Sequence, residues 1–146
     1  MEARRSGRCW RLPPRTRFVD KAKYRNYLRK SEEFERSAMQ AAGREDWDAS
    51  VANAIHSGIS MADALAVFYL GKRSAAQEHE ESVALLLLQL GIDRKEVGRA
   101  ASHLGSLLRV KNRAEYEERL LGRRDSEQAL KHLGRFKEWA RAKLPR

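Results

Sequence analysis

Residues 97–116 read VGRAASHLGSLLRVKNRAEY. Val97, Ala100, Leu104, Leu107 and Leu108 recur at spacings of three and four, the period of a helix that buries one stripe. At Lys111-Asn112-Arg113-Ala114-Glu115-Tyr116 that stripe runs straight into polar residues. A surface helix separates apolar from polar residues by face, not end to end. A core-facing stripe that turns into Lys-Asn therefore predicts a polar site inside a helical bundle or at a subunit contact.

Outward from this stretch the same period recurs along the chain. A first helix is expected from Val19 to Ala42, with Tyr24, Leu28, Phe34 and Ala38 on one stripe and Gly43 as its stop. A second runs from about Asp46 to Gly71, with Val51, Ile55, Ile59, Ala62, Leu65, Ala66 and Tyr69 facing inward. Ser74-Ala75-Ala76-Gln77 has capping-box form and opens a third helix that reaches Leu90, before Gly91. A second box, Asp93 to Glu96, opens a fourth that reaches about Leu121. Asp125 or Ser126 caps a fifth, which carries Ala129, Leu133, Phe136 and Ala140 inward. Pro13, Pro14 and Pro145 all lie outside these helices, and no segment has the two-residue period of a strand. The expected fold is all-α, an up-down bundle of about five helices joined by short connections.

Length and charge bound the rest. At 146 residues the chain fits one domain with an ordinary core. Thirty Lys and Arg against twenty Asp and Glu leave a net charge of +10. Half of it sits in residues 1–17, where Arg4, Arg5, Arg8, Arg11, Arg15 and Arg17 face only Glu2. This reads as a basic, disordered arm before a bundle at 18–146. The six arginines and Trp10 either hold RNA phosphates and stack on a base or form a solvated tail. The longest apolar run, Val83 to Leu88, is far too short to cross a bilayer, and the N-terminus lacks the apolar core of a secretory signal. No membrane association is expected. Cys9 stands alone, which fits a cytoplasmic location.

On the second helix Asn53, His56, Ser60 and Asp63 form a polar line at spacings of three, four and three. His56 and Asp63 are two turns apart, roughly 10 Å, so a group from another helix has to stand between them. The line supplies a base or an orienting carboxylate to a site between helices, or it ties buried helices together by hydrogen bonds. His79 follows the basic pair Lys72-Arg73 near the start of the third helix, where backbone amides favour an anion. His103 and His132 read as surface residues. No pair has metal-ligand spacing and no glycine-rich phosphate loop appears, so neither a metal nor a cofactor is expected.

Several of these runs, in this order, resemble a bacterial and archaeal subgroup of the HEPN superfamily. They are Ala54-Ile-His-Ser-Gly-Ile-Ser-Met-Ala-Asp-Ala-Leu65, Gly71-Lys-Arg-Ser74, His79-Glu-Glu-Ser-Val83 and Leu107-Leu-x-x-Lys-Asn-x-Ala-Glu-Tyr116, before a last helix ending near Glu138-Trp139. The resemblance covers about Tyr24 to Ala140. It implies a helical bundle that forms a two-fold dimer with a composite polar groove. It also implies RNA or nucleotide binding, metal-independent RNA cleavage in active members, and pairing with a nucleotidyltransferase or another antitoxin-like partner in a toxin–antitoxin or defence system. The usual motif is Arg-Asn, three variable residues, then His; here the positions read Lys111, Asn112 and Tyr116.

Helical geometry weighs that departure. At about 100° per residue, Gly98, Gly105, Arg109, Asn112 and Tyr116 share a face within about 60°, while Lys111 points about 140° from Tyr116. Two glycines on one face favour close approach of another backbone, so this face, or the adjoining face of the second helix, is the expected dimer contact. Tyrosine, with a reference pKa of about 10, is a poor base at neutral pH, whereas lysine still holds a phosphate as a point charge. Binding survives the exchange better than catalysis. Three readings follow: a noncatalytic or weakly catalytic module that binds RNA, a nucleotide or a protein; an active metal-independent endoribonuclease with a rearranged site; and a structural dimerisation scaffold. Catalytic candidates are His56, Asp63, His79, Lys111 and Tyr116, and binding candidates are Lys72, Arg73, Arg109 and Asn112.

Overall fold

The computed structural model describes residues 16–74, 87–116, 118 and 120–145, with the backbone alone for 112–116. It is mostly helical, with a small two-stranded sheet. Strand β1 (Thr16–Phe18) leads through a 3₁₀ turn (Lys21–Lys23) into α1 (Tyr24–Gly43). Then come α2 (Trp47–Leu70), β2 (Lys72–Ser74), α3 (Arg94–Tyr116) and α4 (Arg123–Ala142). The helix expected from Ser74 to Leu90 lies largely outside the described residues, as does nearly all of the basic arm.

Contacts between helices fix their directions. Tyr24 meets Phe68, Ser31 meets Ser57 and Phe34 meets His56, so α1 and α2 form an antiparallel hairpin. Ser50 bonds Ser126, Lys137 reaches Ser57 and Tyr69 bonds the Lys143 carbonyl, so α4 runs parallel to α2. Glu96 with Trp139 and His103 with His132 set α3 antiparallel to α4. The four helices thus alternate in direction. At their centre lies α2, on which every residue from Ser60 to Val67 is buried. It is long and apolar enough to span a membrane, yet most of its surface is covered by the other helices.

Several expected boundaries move, each for a local reason. The left-handed residue that ends α1 is Glu45, at φ 65°, and not Gly43. Gly71 does end α2 as expected, at φ 68° with its amide on the Val67 carbonyl. The chain then pairs with residues on which no strand was expected: Thr16, Arg17 and Phe18 lie opposite Ser74, Arg73 and Lys72. Thr16 and Arg17 therefore belong to the folded unit and not to the arm. Helix α3 stops at Tyr116, short of Leu121, whose amide instead faces the Asp48 carboxylate at 3.3 Å. Helix α4 begins one turn before its expected caps. Gly122 is the N-cap, its amide donating to the Asp125 carboxylate at 2.9 Å, and Ser126 is buried against Ser50.

The glycine that permits close helix packing is Gly58. A Cβ there would stand 2.7 Å from Leu107 Cδ2 and 3.2 Å from Leu104 Cδ1. Gly98, by contrast, has nothing within 4 Å, and Gly105 meets only the Arg109 guanidinium at 3.5 Å. Within one chain, then, α3 presses its leucine stripe into α2, and a Cβ at Gly98 or Gly105 would meet no other helix within 4 Å.

Candidate functional site

An open cleft of about 470 Å³ lies between α1 and α2, closed at its sides by β2 and α3. Both long walls follow from helical spacing. On α2 the line Asn53, His56, Ser60 and Asp63 faces inward, and on α1 Tyr27, Lys30, Phe34 and Ser37 repeat at three and four residues opposite it. Strand β2 contributes Arg73 and α3 contributes Lys111. The groups expected between His56 and Asp63 are therefore a set of α1 side chains together with Arg73.

At the deep end lies Asp63, only 7% exposed. Its carboxylate is 3.9 Å from Arg73 Nε, which is too long for a hydrogen bond. Burial pushes its pKa up to about 7, against the opposing pull of Arg73 and Lys30. The Arg73 guanidinium donates to the Tyr27 hydroxyl at 3.4 Å and lies 5.5 Å from the centre of that ring, with Lys30 Nζ at the same distance. At the open end the exposed His56 ring sits 5.2 Å from Phe34. His56 and Lys111 also line a second, more apolar hollow of about 290 Å³ with Val51, Ile55 and Leu121.

His56, Asp63, Arg73 and Lys111 thus come together. Lys72, beside Arg73 on the strand, does not line the cleft. Arg109 does not either; it is exposed on α3, donating to Ser106 Oγ at 3.0 Å. His79 and the side chains of Asn112 and Tyr116 lie outside the described residues. Several lining residues on α1 were not expected, Glu33 and Ser37 among them. Phe34, assigned to the core stripe, is half-buried in the cleft, and Tyr27 and Lys30 belong to a polar line readable on α1 by the same spacing rule used for α2. His103 and His132, expected on the surface, are half-buried and bonded to each other, Nδ1 to Nδ1 at 3.1 Å. Twenty-nine residues separate them, so no local spacing reveals the pair.

Behind the cleft, Lys137 is fully buried, its ammonium 2.8 Å from Glu35 and 3.5 Å from Ser57 Oγ. Burial lowers the Lys137 pKa and the Glu35 carboxylate opposes that shift. For Glu35, burial raises the pKa, but Lys137 and Arg141 together prevail and hold it below the usual value. This ion pair ties α1 to α4 and fixes the wall that carries Lys30 and Phe34. Comparison of the chain with protein-family models, curated proteins and solved structures returns no match.

Proposed function

We propose that this chain is a HEPN-like helical module that binds RNA in the α1–α2 cleft, with a degenerate nuclease motif. The observation that carries the reading is the composition of the cleft, where Lys30 and Arg73 lie against the Tyr27 ring and Lys111 and Phe34 share the lining with the acidic Glu33 and Asp63. Cations neutralise backbone phosphates and aromatic faces stack on unpaired bases, a combination suited to single strands. The departure from Arg and His at Lys111 and Tyr116 favours binding over cleavage. The test is fluorescence anisotropy with a labelled single-stranded RNA in EDTA over a range of salt. The Lys30→Ala/Arg73→Ala variant is expected to bind more weakly, with a log–log salt slope smaller by about 1.4, or about 0.7 for each phosphate that is no longer neutralised. An unchanged slope rejects the cleft as the binding surface.

A second reading rests on Asp63. A carboxyl with a pKa of about 7 in the same cleft as His56 has the properties of a general acid or base. Under this reading the chain is a metal-independent endoribonuclease, and RNA cleavage in EDTA is lost in Asp63→Asn while RNA binding remains. Absence of cleavage by the wild-type chain on varied RNAs leaves the binding module. The HEPN resemblance adds a two-fold dimer and an antitoxin-like or nucleotidyltransferase partner, and the small residues make the Gly98–Gly105–Asn112 face of α3, or the adjoining face of α2, the proposed dimer contact. Light scattering tests the dimer, which is expected to give twice the monomer mass at micromolar concentration.

A further inference from the structure

The seam between α3 and α4 holds the His103–His132 pair. The rings are 5.3 Å apart between centres, and the Nδ1 atoms are 3.1 Å apart. At that separation one Nδ1 carries the proton and the other accepts it. The ring that donates then has a bare Nε2. A proton added at that atom leaves the inter-ring bond in place and makes it charge-assisted. The pair can therefore take up one positive charge without breaking the helix contact.

Its surroundings are cationic. From α3 the nearby charged groups are Glu96, Arg99 and Arg109, and from α4 they are Lys131, Arg135 and Glu138. Glu96 is engaged by Lys143 and by the Trp139 indole. Among the described residues Arg99, Arg109, Lys131 and Arg135 form no ion pair, and Arg109 has only a serine hydroxyl as hydrogen-bond acceptor. Burial, and then His103, Lys131, Arg135 and Arg109, lower the His132 pKa. The seam therefore has an excess of positive charge, which adds to burial in disfavouring the charged form of His132. An anion laid across it offsets the cationic part of that penalty and so favours the proton.

We propose that the α3–α4 seam is a second surface for RNA phosphates, separate from the cleft, and that proton uptake by the His103–His132 pair strengthens it. Linkage makes the effect reciprocal: acid tightens binding, and binding draws a proton onto the pair. The proposal rests on the reading of RNA as the ligand. Its test uses a His56→Gln/Asp63→Asn background, which removes the imidazole and the buried carboxyl of the cleft. In that background, affinity for a labelled single-stranded RNA at fixed ionic strength is expected to rise about fivefold from about pH 7.5 to about pH 5.5. Adding His103→Gln/His132→Gln abolishes the rise, and a single His132→Gln variant, checked by circular dichroism, does the same if the double change unfolds the chain. A rise that survives the loss of the pair overturns the proposal, as does the absence of any rise in the background. A wild-type chain that binds no RNA at either pH rejects the cleft reading instead. NMR then decides the seam: inorganic pyrophosphate at about pH 5.5 shifts the His103 and His132 ring signals if it is a phosphate surface, and unmoved signals overturn it.

Discussion

Asp63 stands where sequence pattern, burial and charge meet. Its place on the polar line brings it to the deep end of the cleft, and the packing of α1 over α2 removes its water. The folded chain holds this proton up to about pH 7, whereas an unfolded carboxyl releases it near 3.8. Because the folded value is the higher one, the contribution of Asp63 to stability is fully present below about pH 4 and is lost as pH rises through 7. Asp63→Asn is therefore expected to leave stability nearly unchanged at pH 4 and to raise it by about 1–3 kcal/mol at pH 8, read from denaturant unfolding at both values. A stabilisation that is equal at both pH values would show that ionisation is not the cause. Lys137 poses the opposite case, a buried charge whose partner is present. Lys137→Ala leaves a cavity and an incompletely paired Glu35, and is expected to cost about 3 kcal/mol. Lys137→Met keeps the volume and is expected to cost clearly less. Thermal melts of the two variants compare volume with charge.

At the scale of elements, the contact between α2 and α3 depends on Gly58. A methyl group there meets Leu107 at 2.7 Å, inside van der Waals contact, and the fully buried leucine has little room to yield. Gly58→Ala is expected to destabilise by about 1–3 kcal/mol despite its better helix propensity, while Gly134→Ala on α4, with open space around it, stabilises by up to about 1 kcal/mol. Chemical denaturation of the pair measures both signs. The turn between α1 and α2 offers a complementary test. Glu45 sits at φ 65°, a conformation that favours glycine, and its ion pair with Arg123 is exposed on both sides. Glu45→Gly is expected to raise the melting temperature, because relief of backbone strain outweighs a solvent-screened pair.

For the whole molecule the charge distribution is the relevant quantity. The sheet brings Thr16 and Arg17 into the folded unit, since they pair with Ser74 and Arg73. Deleting residues 1–15 therefore leaves every described element intact, whereas deleting 1–17 removes most of β1. The shorter deletion takes away Arg4, Arg5, Arg8, Arg11 and Arg15. If these hold RNA, the salt slope flattens by about 0.7 for each phosphate the arm had neutralised, and the melting temperature stays the same. An unchanged slope makes the arm a bystander and leaves the cleft and the seam as the cationic surfaces to separate by mutation.

The sequence by itself determined the helices at Tyr24–Gly43, Trp47–Leu70, Arg94–Tyr116 and Arg123–Ala142 to within a turn or so at most ends. Apolar period and glycine stops are local signals that hold before any helix meets another. It also determined that His56 and Asp63 share a face. It did not reveal the three-residue strands, which are too short to show a two-residue period and gain their hydrogen bonds only when residues 16–18 reach 72–74. Tertiary structure alone decided that Arg73 comes to Asp63, that Gly58 and not Gly98 is the packing glycine, and that His103 bonds His132. These pairings join residues distant in the chain, and their energies come from burial and charge that exist only after the helices have packed.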